Sequence, residues 1–153
     1  MKNDYMTKAL EEAYSGIEAG DGGPFGAIIV KDGKIIGRGH NCVIKCNDPT
    51  LHGEMVAIKD ACMHLNTYDL TGCEIYTTAE PCPMCLGALM WAGVNKIYYG
   101  CNRLDTEEIG FRDKVFFEMI NNTNYKDNLI EIDREECKKL FKKYQNIIYK
   151  TTY

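Results

Sequence analysis

The chain has 153 residues, 45% of them hydrophobic and 26% charged, with a formal net charge of −4. This is the size and composition of one soluble domain that can bury a core without staples, and the acidic balance excludes broad electrostatic binding to polynucleotide, which rests on neutralising phosphates. No run is long and apolar enough to span a bilayer and residues 1–5 carry no apolar signal segment, so the eight cysteines are expected to be reduced thiols in a cytoplasmic protein.

Tyr5, Met6, Ala9, Leu10, Ala13, Tyr14 and Ile17 recur at helical spacing and predict an amphipathic first helix, stopped by Gly20, Gly22, Gly23 and Pro24. Residues 25–30 read as a buried strand. Lys31-Asp32-Gly33-Lys34 reads as a hairpin turn, since Asp-Gly tolerates the positive φ of a tight turn. Residues 35–40 return as the partner strand, and Asn41 stands at its end. Asn47-Asp48-Pro49-Thr50 supplies turn chemistry before a second helix over residues 50 to about 65, with Met55, Val56, Ile58, Ala61 and Cys62 on its apolar side.

Residues 73–78 predict a third strand, followed by a helix to about residue 92. Residues 96–100 predict a fourth strand and 104–110 a polar loop. A short apolar run over 115–120 is broken by Asn121-Asn122-Thr123-Asn124. Residues 129–132 predict a fifth strand and 134–149 a last helix, with Cys137, Leu140, Phe141, Tyr144 and Ile148 on one stripe. The alternation of strand and helix argues for α/β layers around one mixed sheet, with no repeat or interdomain linker.

Two short segments carry chemistry. Cys82 and Cys85 sit three apart, with prolines on both sides of Cys82. Proline is tolerated in the first helical turn, so Cys82 is expected at a helix start, where both thiols share a face and the helix dipole favours thiolate. The pair suits a metal or a redox couple, and alone does not choose. The second segment is His52-Gly53-Glu54. A His-x-Glu followed by Pro-Cys-x-x-Cys is the signature of the zinc nucleobase deaminases. Catalytic zinc takes three protein ligands and leaves a position to water; His52, Cys82 and Cys85 supply three, and Glu54 is the acid left to move protons. In mid-helix His52 and Glu54 would be turned about 200° apart. Both can address one ion only at a helix N-terminus, which predicts two helix starts converging on one Zn2+ site.

Pro24-Phe25-Gly26-Ala27, Val30-Lys31-Asp32-Gly33, Asn47-Asp48-Pro49-Thr50 and the run Glu80-Pro81-Cys82-Pro83-Met84-Cys85-Leu86-Gly87-Ala88 resemble the cytidine deaminase superfamily. Within it they look most like the small bacterial guanine deaminases, which also carry a Gly-Phe-x-Asp motif, here Gly110-Phe111-Arg112-Asp113, and a terminal tyrosine, here Tyr153. The resemblance implies a three-layer α/β/α cytidine-deaminase-like fold with a five-stranded mixed sheet. It implies one deaminase domain over residues 1–153 and a homodimer in which a segment from about 100 to 153 is swapped, so that the tail closes the partner's site. Asn41 would hydrogen-bond the base, Phe25 and Trp91 would shape the pocket, Asp113 would assist with protons or the leaving amine, and Tyr153 would cap the pocket. Where the family has His-Ala-Glu this chain has Gly53, whose N–H is expected to face the base.

The activity implied is hydrolytic deamination of a free purine base, guanine to xanthine plus ammonia. Other aminated rings, such as aminotriazines or cytosine, and tRNA adenosine are the alternatives; Lys138, Lys139, Lys142, Lys143 and Lys150 make the tail locally basic, but the acidic whole weighs against RNA. The non-catalytic alternatives are a closed site in which Cys42 and Cys46 join Cys82 and Cys85, a redox pair, or a zinc-stabilised binding protein.

Overall fold

A computed structural model describes residues 3–122, 128–149 and 151–153. These fall into two compact units, Met1–Phe117 and Glu118–Tyr153.

In the first unit the elements are α1 (Asp4–Ala19), β1 (Gly26–Lys31), β2 (Lys34–His40), α2 (Val43–Cys46), α3 (Gly53–Leu65), β3 (Glu74–Ala79), α4 (Pro83–Trp91), β4 (Lys96–Cys101) and α5 (Arg103–Glu108). The helix α6 (Asp113–Asn121) follows. The sheet order is β2-β1-β3-β4. β1 is antiparallel to both β2 and β3, while β3 and β4 are parallel and joined through α4. Three strands, β2, β3 and β4, therefore point one way. Their carboxyl ends and the entry to β1 all lie at one edge of the sheet, which is where open α/β sheets place their ligands.

The alternation of β1 divides the core into layers. Ile28 and Val30 join Ala9 of α1 and Tyr76 on one face. Ala27 and Ile29 join Ala57 and Ala61 of α3, Ile75, and Leu89 of α4 on the other. This is the expected helix–sheet–helix layering. Gly39 makes it possible on the α3 side: a Cβ there would stand 2.5 Å from Ala57 N and from Gly53 O, so α3 rests directly on the β2 backbone. The Asp32-Gly33 turn forms as expected, with φ of 49° and 74°.

Two expectations are corrected. The sheet has four strands among the described residues, not five, because residues 129–132 take no strand. Their alternation of apolar and charged side chains reads as strand, but Leu129, Ile130 and Ile132 are all at least 70% exposed and gain nothing from a pleated surface. The polar loop over 104–110 is largely the helix α5. Its start is fixed by a capping box in which Asn102 Oδ1 accepts from Leu104 N and Asp105 N, and Asp105 accepts from Asn102 N. The apolar run over 115–120 is the middle of α6. The break expected at 121–124 begins where α6 ends, and residues 123 and 124, like Lys150, lie outside the described residues.

The second unit contains α7 (Arg134–Gln145), with i,i+3 pairs Lys138–Glu135 and Lys139–Glu136 on its polar face. Tyr144 Oη donates to Thr151 O at 2.8 Å. Leu140, Phe141 and Ile148 of its apolar stripe are exposed. Among the described residues no helix is long and apolar enough to cross a membrane.

Candidate active site and metal centre

Both signature segments are helix starts. His52 is the residue before α3 and Cys82 the residue before α4; each has an extended backbone, with ψ of 159° and 168°. Pro83 takes the first helical position of α4 and fixes the turn after Cys82. His52 Nδ1 lies 3.6 Å from Cys82 Sγ and 3.5 Å from Cys85 Sγ. A tetrahedral zinc with Zn–S of about 2.3 Å and Zn–N of about 2.0 Å spaces its sulfur and nitrogen ligands about 3.5 Å apart. The donor triangle thus has the size the ion requires.

Electrostatics agree. The hydrogen bond from Cys85 holds the Cys82 thiol well below its ordinary range, helped by His52 and opposed by burial. The same bond, with burial and the nearby Glu54, pushes Cys85 up. A bound cation favours the thiolate form of both. The hydrogen bond to Cys82 raises His52 against its burial.

Glu54, two residues into α3's path, is 6% exposed. Its Oε1 accepts from Thr77 Oγ1 at 3.3 Å, and its Oε2 accepts from Cys85 Sγ at 3.5 Å. Burial pushes the Glu54 carboxyl up from its ordinary pKa. Asp113, at the start of α6, is raised by burial first and then by the Cys82 charge. Carboxyls raised in this way beside a cluster of metal-ligating side chains are candidates for proton transfer.

A cavity of about 300 Å³ joins these groups, walled by Phe25, Phe111 and Phe116 and reaching His52, Glu54, Cys82, Asp113 and Asn41. Phe25 and Phe111 meet edge to face, with centroids 4.8 Å apart. Asn41 is 4% exposed, and its Oδ1 accepts from Gly23 N and Val43 N. The carbonyl is held by the backbone, which leaves the amide N–H groups as the side chain's donors. Gly53 packs against Phe25: a Cβ there would lie 3.0 Å from Phe25 O.

Trp91 is not brought to the cavity. It closes α4 nine residues after Cys82, about 13 Å along the helix axis, and is 72% exposed. Tyr153 belongs to the second unit and is 82% exposed. Cys42 and Cys46 do not join Cys82 and Cys85 among the described metal-ligating clusters. Cys42 instead groups with Asp21 and His40, where Asp21 Oδ2 is already held by His40 Nε2 at 2.8 Å and Lys45 Nζ at 3.1 Å. Sequence reasoning missed Thr77 and Phe116. Phe116 falls at helical spacing from Asp113, a signal readable only once the 115–120 run is known to be helical.

Residues 1–101 match the family described as the cytidine and deoxycytidylate deaminase zinc-binding region. The chain is 47% identical over 117 residues to the guanine deaminase of Bacillus subtilis, covering 76% of this chain and 75% of that protein. It is 50% identical over 100 residues to the tRNA-specific adenosine deaminase of Aquifex aeolicus, covering 65% of this chain and 66% of that one. The X-ray structure of guanine deaminase from Bacillus subtilis superposes with a TM-score of 0.92 at 39% identity, over 100% of this chain and 99% of the other. The convergent helix starts, their His/Cys/Cys donors and these likenesses have one reading: the chain belongs to the cytidine and deoxycytidylate deaminase family.

Proposed function

We propose that this chain is a zinc-dependent hydrolytic deaminase of a free purine base, converting guanine to xanthine and ammonia. The observation that carries the reading is the cavity itself. It joins a catalytic-type donor triad to two raised carboxyls between aromatic walls, and among the described residues it is lined by no lysine or arginine. Such a pocket suits an aminated ring and offers nothing to a phosphate. The structure of a guanine deaminase superposes over 100% of this chain and that of a tRNA:A34 deaminase over 66%, which supports the same substrate.

His52, Cys82 and Cys85 would hold Zn2+, which when bound supplies a water activated at neutral pH. Phe25 and Phe111, packed edge to face, form one apolar wall against which the ring lies and which excludes solvent. Asn41 donates its amide to a ring acceptor, and the Gly53 N–H is available beside it. Glu54, fixed at Oε1 by Thr77, takes one proton from the attacking water to a ring nitrogen, then carries the second, from the hydroxyl now on the ring carbon, to the amine, which leaves as ammonia. Asp113 accepts from the amine side of the ring. The partner subunit completes the pocket: the tail carrying Tyr153 is swapped in a homodimer and caps it. The second unit supports this, since its described residues are all exposed although Leu140, Phe141 and Ile148 are apolar.

Ammonia release by the zinc-loaded protein against guanine, adenine, cytosine, cytidine, guanosine, an aminotriazine and a tRNA anticodon stem tests the proposal. Turnover of guanine alone supports it. Turnover of another member with guanine inert discards the substrate and keeps the chemistry; silence with zinc bound favours a zinc-stabilised binding protein.

A further inference from the structure

We propose that Arg103 is a positioning residue that ties the metal-binding corner to the helix carrying Asp113. The proposal rests on the deaminase reading above. Arg103 lies outside every motif, one residue before the stretch whose sequence reads as a polar loop. Its guanidinium has two anchors. Nη2 lies 2.8 Å from Glu80 Oε1, and the Arg103 backbone N donates to Glu80 Oε2 at 3.3 Å. Cζ stands 3.5 Å from the centroid of the Phe117 ring. Glu80 is two residues before Cys82, itself lines the cavity, and is pinned by Glu80 N donating to Cys101 O at 2.8 Å. Phe117 is on α6, whose Asp113 and Phe116 line the same cavity.

Spacing makes the link consequential. Asp113 and Phe116 are three apart and share the cavity face of α6, while Phe117 is turned about 100° from Phe116 toward Arg103. Clamping the Phe117 ring therefore sets the rotation of α6 about its axis, and that rotation decides where the Asp113 carboxyl stands relative to Cys82. The clamp needs arginine. A planar guanidinium binds a carboxylate at its edge and an aromatic ring on its face at once, which an ammonium does not. The Nε of Arg103 is buried without a hydrogen-bond partner among the described residues, so the group is held there by the ring and the carboxylate rather than by full hydrogen bonding.

The test uses zinc-loaded full-length protein and the variants Arg103→Met, Arg103→Lys and Phe117→Leu. Steady-state kinetics are taken with guanine or with whichever ring of the panel the wild type turns over; zinc content and amide exchange of residues 113–117 are measured in parallel. Arg103→Met is expected to raise KM about tenfold, the scale of a modest misplacement in a site, to speed exchange in the first turn of α6, and to keep one zinc per chain. Arg103→Lys is expected to behave like Arg103→Met, and Phe117→Leu to reproduce it with no further loss in the double variant. Wild-type kinetics in Arg103→Met overturn the proposal, as does full rescue by lysine, which would reduce the role to charge. Unchanged exchange in α6 overturns it whether or not any ring is turned over, so its failure is separable from failure of the deaminase reading.

Discussion

Thr77 Oγ1 stands 3.3 Å from Glu54 Oε1 and donates to it, from the middle of β3 to the first turn of α3. Both residues are buried. The bond holds one carboxylate oxygen and leaves the other toward Cys85 and the cavity. A proton carrier in this position is useful only as an acid. Glu54→Gln is therefore expected to keep zinc and fold and to lose about 10²–10⁴ in kcat, the usual worth of general acid–base catalysis. Thr77→Val is expected to lose less and Thr77→Ser to recover most of it. Turnover near wild type in Glu54→Gln would remove Glu54 from the mechanism.

The donor triangle makes a second prediction. Cys85→Ala is expected to abolish stoichiometric zinc, while the double variant Cys42→Ala/Cys46→Ala keeps one ion per chain, measured by elemental analysis of gel-filtered protein. A ligand that binds only the folded state stabilises it by RT ln(1 + [L]/Kd), about 4 kcal/mol at a thousandfold excess over Kd. Chelation of the wild type should accordingly lower its melting temperature, and chelation of Cys85→Ala should not. Zinc lost from the Cys42/Cys46 double variant would restore the all-cysteine alternative.

These two sites were legible because their chemistry is local. Cys82 with Pro83, and His52 two before Glu54, declare helix starts by residue type and spacing alone, and both form. The α/β layering was legible for a similar reason, since Ile28/Val30 and Ala27/Ile29 alternate in plain view. What failed was long-range or masked by polarity. α5 is polar all round, so its only signal is the Asn102/Asp105 capping box, which the reading passed over. The fifth strand failed because an apolar alternation says what a segment would bury and not whether a partner is present. Trp91 was assigned to the pocket by resemblance, and the length of α4 carries it away. Thr77's bond spans 23 residues and no pattern announces it.

Gly53 and Gly39 make opposite predictions, although the first opens α3 and the second lies beneath it. At Gly53 an added Cβ would meet Phe25 O at 3.0 Å and Gly26 Cα at 3.4 Å, a crowding that a few tenths of an ångström relieve. The gain of replacing glycine in a helix, roughly 0.5–1 kcal/mol, offsets it, so Gly53→Ala is expected to stay within about 1 kcal/mol of wild type and to keep zinc. At Gly39 the Cβ would meet two backbone atoms at 2.5 Å and Val56 Cβ at 2.8 Å. Gly39→Ala is expected to cost more than about 2 kcal/mol, in the range of overpacked cores, and to weaken zinc by displacing His52. Denaturant titration measures both; equal effects would contradict the packing.

Asp21 makes a pH prediction. Its carboxylate is held below the ordinary 3.8 first by the His40 hydrogen bond and then by Lys45. Its backbone carbonyl accepts from Ile44 N and Lys45 N, so one residue braces the turn that presents Asn41. A depressed carboxyl contributes stability that is present above its unfolded value and is lost as pH falls through its folded value. The difference in melting temperature between wild type and Asp21→Asn is therefore expected to be present at pH 7 and to shrink below about pH 3.8. KM should rise in the variant at pH 7 as the Asn41 turn loosens. A difference that grows toward acid would reverse the assignment.

The swapped tail is tested in trans. The second unit displays Leu140, Phe141 and Ile148 on one stripe of α7 and its flank, all more than 60% exposed, a pattern that a second chain would cover. If Tyr153 caps the partner's pocket, a Glu54→Gln chain has a sound tail and a dead site, and a chain lacking the last few residues has a sound site and no cap. Mixed and allowed to exchange subunits, the two build one site with Glu54 intact and the cap supplied by the partner. Activity is expected to approach the share of such sites in the mixture, while each variant alone stays low. The tail-truncated chain alone should show a raised KM more than a lowered kcat, because the cap encloses substrate and moves no proton. No restoration, in a mixture shown by mass to contain heterodimers, would place the tail's work within its own chain.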